Sequence, residues 1–304
     1  MRIHVLGSAA GGGFPQWNCN CPNCAAFRAG TLRARARTQS SIAITAAGAD
    51  WVLFNASPDI LAQIRTFPEL QPARAVRDTA IAAIVLIDGQ IDHTTGLLML
   101  REGKPLEIYC TDVVHKDLTR GNPVFGILGH YCGVSRHRIE TDATPFAIPA
   151  APGLEFQAIT VRSKAAPYSP HRDNPQPGDN IGVTIRDTLT ERRLFYAPGL
   201  GEIEPHVWEA MRLADCVMVD GTFWDEHEMV KLGISTKRAR EIGHLPQSGP
   251  GGMMEWLGKL PQKTRKVLIH INNTNPILDD EGAQRRELSA SGIEVAYDGM
   301  ELTL

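Results

Sequence analysis

The chain has 304 residues, 43% of them hydrophobic and 21% charged, with a net charge of −3. That composition belongs to a globular protein able to bury a large core. A charge so near balance gives no electrostatic reason to expect nucleic acid or an anionic membrane as the main partner. No apolar run reaches transmembrane length. The start, Met1-Arg2-Ile3-His4-Val5-Leu6-Gly7, lacks a long apolar segment and a small-residue cleavage site, so a cytoplasmic location is expected.

In chain order, β-rich runs fall at 2–6, 40–46, 51–55, 81–87, 106–110, 154–161, 180–186, 193–197, 215–219, 266–271 and 293–297. Helical patterns lie at 59–67, 94–101, 111–119, 205–213, 250–259 and 280–290. The opening strands read as a meander; strand–helix alternation follows, then more strands, then alternation again. This order predicts an α+β fold of mixed sheets covered by helices. No linker divides the chain, so one domain over 1–304 is expected. Lys164 to Asp179 carries Pro167, Pro170, Pro175 and Pro177 and is excluded from helix and central strand. A loop of this length is expected to be functional or mobile, bordering the active-site mouth.

Six stretches carry possible chemistry. In WNCNCPNCAAF, Cys19, Cys21 and Cys24 sit within six residues, while Cys110, Cys132 and Cys216 are scattered. In a reducing compartment a tight cluster points to metal rather than disulfide. A sharp turn at Pro22-Asn23 lets the three thiolates converge on one structural zinc, with a fourth ligand from elsewhere. In GSAAGGGFPQ, Gly7 to Gln16, there is no nucleotide-binding pattern, and the glycines are expected to let backbone pass close to a site at the end of the first strand. The apolar run Ile81 to Leu86 ends in Asp88-Gly89-Gln90-Ile91-Asp92-His93, with Gly96 close behind. Asp92 and His93 are a ligand pair or, equally, a helix start with an N-capping aspartate. In VLIHINNTNP, His270 stands where a buried strand runs out, as a ligand or as a core histidine. Asp220 of CVMVDGTFW ends another apolar strand, or merely opens a turn. His244 of REIGHLPQSG is a possible acid or base, or an exposed loop residue. Together, three strands end in a carboxylate or imidazole, and sites in α/β architectures assemble at strand ends.

These residues resemble the metallo-β-lactamase superfamily, whose fold is an αββα sandwich of two mixed sheets flanked by helices. Its usual turn, H-x-H-x-D-H-x-x-G, aligns here as Asp88-Gly89-Gln90-Ile91-Asp92-His93-Thr94-Thr95-Gly96. Within the superfamily, the opening GSAAGGGFPQWNCNCPNC and the stretches FNASPDI, DHTTGLL, YAPGLG, DGTFW, GHLPQSG and IHINNTNPIL resemble the coenzyme PQQ synthesis protein B family along essentially the whole chain. Hydrolases of the fold use the two histidines replaced here by Asp88 and Gln90 to hold one of two zincs, so the resemblance disfavours that zinc. It leaves Asp92, His93 and His270, two imidazoles and one carboxylate, a set typical of non-haem Fe(II) enzymes that handle oxygen.

The resemblance therefore implies a hydroxylase of PQQ biosynthesis that oxygenates the tyrosine moiety of a peptide-derived precursor. Fe(II) would be the active-site metal, other divalent metals being able to substitute. Asp220 would act as ligand or hydrogen-bond acceptor, and His244 or Asp88 as proton relay. Asn273 stands where relatives close the cysteine zinc site with a histidine, and is the favoured fourth ligand. The competing readings are a metal-dependent hydrolase and a PQQ carrier. The expected partner is a small-molecule or dipeptide substrate; PQQ itself and a homodimer are further candidates.

Overall fold

The computed structural model describes residues 1–46, 48 and 50–304. Two seven-stranded sheets carry the architecture. The first holds β1 (Arg2–Gly7), β2 (Ser41–Thr45), β3 (Trp51–Phe54), β4 (Ile81–Val85), β5 (Leu106–Cys110) and β6 (Val134–Arg138). The second holds β7 (Pro145–Ala147), β8 (Leu154–Thr160), β9 (Ile181–Asp187), β10 (Arg193–Ala197), β11 (Cys216–Asp220), β12 (Arg265–Ile269) and β13 (Ile293–Val295). The last strand, β14 (Glu301–Thr303), returns to pair with β1, giving the orders β14-β1-β2-β3-β4-β5-β6 and β13-β12-β11-β10-β9-β8-β7. Both sheets are mixed: β3 to β6 and β10 to β13 run parallel, and the remaining neighbours are antiparallel.

The helices are α1 (Pro22–Arg28), α2 (Ile60–Thr66), α3 (Ile91–Thr94), α4 (Asp112–Arg120), α5 (Val124–Leu128), α6 (Pro205–Leu213), α7 (Glu228–Lys231), α8 (Met253–Gly258) and α9 (Ala283–Ala290). Side chains alternate across each strand, and here both faces are buried. Ile42, Ile44, Val52, Phe54, Met218 and Val267 point between the sheets, where Phe54 meets Phe156 and Tyr196. Ala43, Leu53 and Ile84 face outward under α2, α4 and α5. Val217, Val219 and Leu268 face the other way under α6, α8 and α9. Double coverage explains why the parallel strands read as continuous apolar runs rather than alternating ones.

Three strands escaped the sequence reading: β6, β7 and β14, with sequences VSRHR, PFA and ELT. Each lies at a sheet edge, where polar side chains are tolerated and leave no apolar signal. The short helices α1, α5 and α7 were also unread. The helix expected at 94–101 starts earlier, as α3, and continues as a 3₁₀ turn over Thr95–Leu100. The segment expected over 250–259 is helical only over Met253–Gly258.

The proline-rich stretch has neither helix nor regular strand, but it is packed. Ala165, Ala166 and Asp179 are buried. The Tyr168 hydroxyl donates to Gly89 O, Gln90 Nε2 donates to Lys164 O at 3.1 Å, and Arg172 Nη1 donates to Ala165 O. It borders the 88–93 turn as an anchored segment.

Candidate metal centres

The two facing sheets are bridged at one end, where the parallel strands run out. Ile181 N–H donates to Ile87 O, Ala10 N–H to Ile271 O, and Ile271 N–H to Ser8 O, each at 2.9 Å. These bonds tie the end of β4 to the start of β9 and the segment after β1 to that after β12. Asp92 Oδ2 lies 3.3 Å from His270 Nε2 and 3.9 Å from His93 Nε2. Asp92, His93 and His270 each offer a ligand atom within 4.8 Å of the others. Asp220, His244 and His270 form a second such group, sharing His270.

Local constraints aim these side chains. Gly96 has to be glycine: a Cβ there would fall 2.1 Å from Ser57 O. That contact lets α3 dock on the loop after β3, where Ala56 N–H donates to His93 O and Gly96 N–H to Ala56 O. His270 sits at φ +63°, the left-handed region that non-glycine residues rarely occupy. Such a conformation persists where surrounding structure enforces it, commonly at functional sites. Gly11 passes directly over Asp92; a Cβ would lie 3.2 Å from Asp92 Oδ2. The glycine-rich turn thus does what was expected of it.

Both imidazoles are fixed in one tautomer. Asp88 Oδ1 and Oδ2 lie 2.8 and 2.9 Å from His93 Nδ1, so that nitrogen carries the proton. His93 Nε2 is then left as a lone pair, buried and without a partner. On the other side the Thr222 hydroxyl is 2.5 Å from Asp220 Oδ1 and 2.9 Å from His270 Nδ1. With its proton given to the carboxylate, the hydroxyl accepts Nδ1–H, and His270 Nε2 is turned to Asp92. Two imidazole lone pairs and one carboxylate oxygen converging on one point suit a divalent cation. Orientation of the far ring nitrogens by carboxylate and hydroxyl is the outer-shell arrangement such ligands use.

Electrostatics agree. Burial works to raise Asp92, but the His93 and His270 imidazoles outweigh it and hold the carboxyl below the usual range. Burial lowers His93, yet the charges of Asp88 and Asp92 prevail and push it up to about 9. The field that favours a proton at Nε2 equally favours a metal there.

Asp220, expected as ligand or acceptor, is wholly buried and accepts several hydrogen bonds. Leu200 N–H, Thr222 N–H, the Thr222 hydroxyl and His244 Nδ1 already point at its two oxygens. His244 is 2.7 Å from Asp220 Oδ2 and stacks on His270 with ring centroids 5.5 Å apart. Asp88, expected as a proton relay, is only 3% exposed, with its oxygens taken by His93 Nδ1 and Gln90 N–H. It lies behind the His93 ring, against Nδ1. Thr222 was missed: a threonine after Asp-Gly carries no signal until folding brings His270 beside it. His171, the one other histidine worth watching, pairs with Asp179 inside the proline-rich segment at 3.1 Å.

The cysteines make a second centre. All six are free thiols, and Cys19, Cys21 and Cys24 converge within 4.8 Å. Pro22 opens α1 and turns the chain between Cys21 and Cys24. Asn273 Nδ2 lies 3.5 and 3.4 Å from the Cys21 and Cys24 sulfurs. The amide thus faces the cluster with its donor; rotation by half a turn presents Oδ1, the atom a fourth ligand needs. Burial pushes the Cys21 thiol up to about 12, which disfavours its thiolate until a cation is bound.

A fold of two mixed sheets flanked by helices, with carboxylate and imidazole at the ends of its parallel strands, defines a metallo-β-lactamase-superfamily protein. A model of the beta-lactamase superfamily domain matches residues 50–271. The chain is 67% identical to coenzyme PQQ synthesis protein B of Azoarcus sp. (strain BH72) and 61% identical to that of Pseudomonas aeruginosa (strain LESB58), with all of each chain covered. Among solved structures it is similar to the 1.98-ångström crystal structure of Zn(2+)-bound PqqB from Methylobacterium extorquens, at 34% identity and a TM-score of 0.90 over the whole of both chains. The chain belongs to the coenzyme PQQ synthesis protein B family. A diphosphatase of the PhnP family, 20% identical with a TM-score of 0.69, shares the fold.

Proposed function

We propose that this chain is a single-domain, metal-dependent enzyme of PQQ biosynthesis, and that it hydroxylates the tyrosine moiety of a peptide-derived precursor. The names of its close relatives support the pathway. The observation that carries the chemistry is the convergence of Asp92, His93 and His270, with the buried Nε2 of His93 left unpartnered. Asp92, His93 and His270 would hold Fe(II), which would supply the one-electron chemistry that reaction with oxygen requires. Asp88 and Thr222 hold the two imidazoles in the ligating tautomer. The Asp220–His244 pair is the proton-handling group. Burial lowers His244, but Asp220 prevails and raises it, so the ring gains and yields a proton at the edge of the site. The clustered thiols hold a structural zinc with Asn273, and free cysteines fit a reducing, cytoplasmic compartment. No helix among the described residues is long and apolar enough to cross a membrane.

A metal-dependent hydrolase is the second reading, favoured by the Asp220, His244 and His270 group where another cation would fit. Anaerobically Fe(II)-loaded protein mixed with a tyrosine-containing dipeptide and oxygen separates the two. With ascorbate added as the two-electron reductant, hydroxylation consumes one O₂, places one oxygen atom in the product and releases the other as water. Peptide cleavage without oxygen uptake would establish the hydrolase instead.

A further inference from the structure

Away from both metal centres, the run Leu32-Arg33-Ala34-Arg35-Ala36-Arg37-Thr38 places an arginine at every second position. In extended chain that spacing sets all three on one side. Arg33 reaches Glu281 at 3.8 Å. The other two line a cavity of about 330 Å³ together with Asp280, Arg285, Ser289 and Tyr297. Arg37 is only 4% exposed. Its Nη1 donates to Ser8 Oγ and Ala296 O, while its buried Nε has no partner. Arg35 lies over the Tyr297 ring, 4.5 Å from the centroid. Arg285 is paired with Asp280 at 3.4 Å.

A buried guanidinium ordinarily has a carboxylate against it, because desolvating the charge alone is costly. Arg37 has none within 4.0 Å among the described residues, and the exposed Arg35 has none either. Asp298 and Asp280 act on Arg37 only from a distance: the Asp298 oxygens accept from Ser8 Oγ, Thr38 N–H and Thr38 Oγ1, and Asp280 is paired with Arg285. Burial and the neighbouring Arg285 push Arg37 down to about 10, the direction expected of a cation lacking its counterion.

We propose that this cavity binds a small organic dicarboxylate, one carboxylate for Arg37 and one for Arg35. The volume matches the lower end of small-molecule pockets and exceeds what one inorganic anion fills. Two planar forks beside a tyrosine ring suit planar carboxylates joined by carbon better than a compact tetrahedral ion. Bound there, the anion also neutralises the residue that holds Ser8, whose carbonyl accepts from Ile271 next to His270.

The test is calorimetric titration of metal-loaded protein with succinate, with acetate and inorganic phosphate run in parallel. Arg37→Gln removes the deepest contact, but because that residue also ties Ser8 to Ala296 the variant can fail to fold. Arg35→Ala, at an exposed position, is the deciding variant, with metal content confirming an intact fold. Saturable succinate binding, tighter than acetate or phosphate and weakened roughly tenfold or more by Arg35→Ala, is expected from loss of a charged hydrogen-bond partner. No saturable binding, equal binding by Arg35→Ala, or tighter binding of phosphate would overturn the proposal.

Discussion

Replacing Asp88 by asparagine tests the tautomer argument with almost no change of shape. In the parent, both carboxylate oxygens lie within 2.9 Å of His93 Nδ1, and Oδ1 also accepts from Gln90 N–H. Asparagine can satisfy one of these donors with its oxygen, but it has no charge, and its amide nitrogen stands where the second oxygen was. Where that nitrogen faces Nδ1 it favours the tautomer protonated at Nε2, which cannot ligate. Loss of such an orienting partner typically lowers metal affinity about 10- to 100-fold, equivalent to roughly 1.4–2.8 kcal/mol. The cysteine centre lies elsewhere and its zinc should be retained. Anaerobic chelator competition with Fe(II) or Co(II) measures the affinity, and mass spectrometry under native conditions counts the zinc. An affinity equal to the parent's would refute the claim that Asp88 sets the ligating form of His93.

Gly96→Ala would press a methyl group onto Ser57 O; a cost of roughly 1–3 kcal/mol is expected, read as a lower Tm, and an unchanged Tm would contradict the close docking of α3. Glu228 is buried, and burial pushes its carboxyl up to about 7 from 4.5 despite bonds from the Thr274 hydroxyl and Trp224 N–H. A pKa raised on folding gives stability that is present below about pH 4.5 and is lost as pH rises through 7. Glu228→Gln, always neutral, should therefore gain on the parent between pH 5 and pH 8, by on the order of 3 kcal/mol at most. Parallel unfolding curves across that range would exclude the effect. Cys21→Ser should lower zinc content and thermal stability together, because binding at such a site is coupled to folding; full zinc retention would remove Cys21 from the centre.

The sequence displays what depends on local pattern and hides what depends on distant pairing. Apolar runs such as Cys216–Val219 and Lys266–Ile269 are legible because their strands are covered on both faces. The chemistry at their ends is legible because a polar residue interrupts the run. The family resemblance then supplied the sandwich. Strand β14 is illegible because its partner, β1, lies at the opposite end of the chain. Thr222 is illegible for the same reason: its partner His270 is 48 residues away. Asp88 is visible as a residue, but that both its oxygens meet His93 Nδ1 emerges only in the folded chain. The proline-rich stretch was rightly denied regular structure, yet prolines alone did not reveal that Tyr168 and Arg172 pin it down.

The central claim is that Asp92, His93 and His270 hold one iron that serves oxygenation. The most direct measurement is oxygen consumption by anaerobically Fe(II)-loaded His270→Ala with a tyrosine-containing dipeptide present, beside the parent protein. Removal of His270 leaves one imidazole and one carboxylate, too few to retain a labile divalent ion. The variant should keep its cysteine-bound zinc and its fold, lose iron, and consume no oxygen above background. Consumption at the parent rate would show that His270 is not an essential ligand and that the iron site described here is wrong.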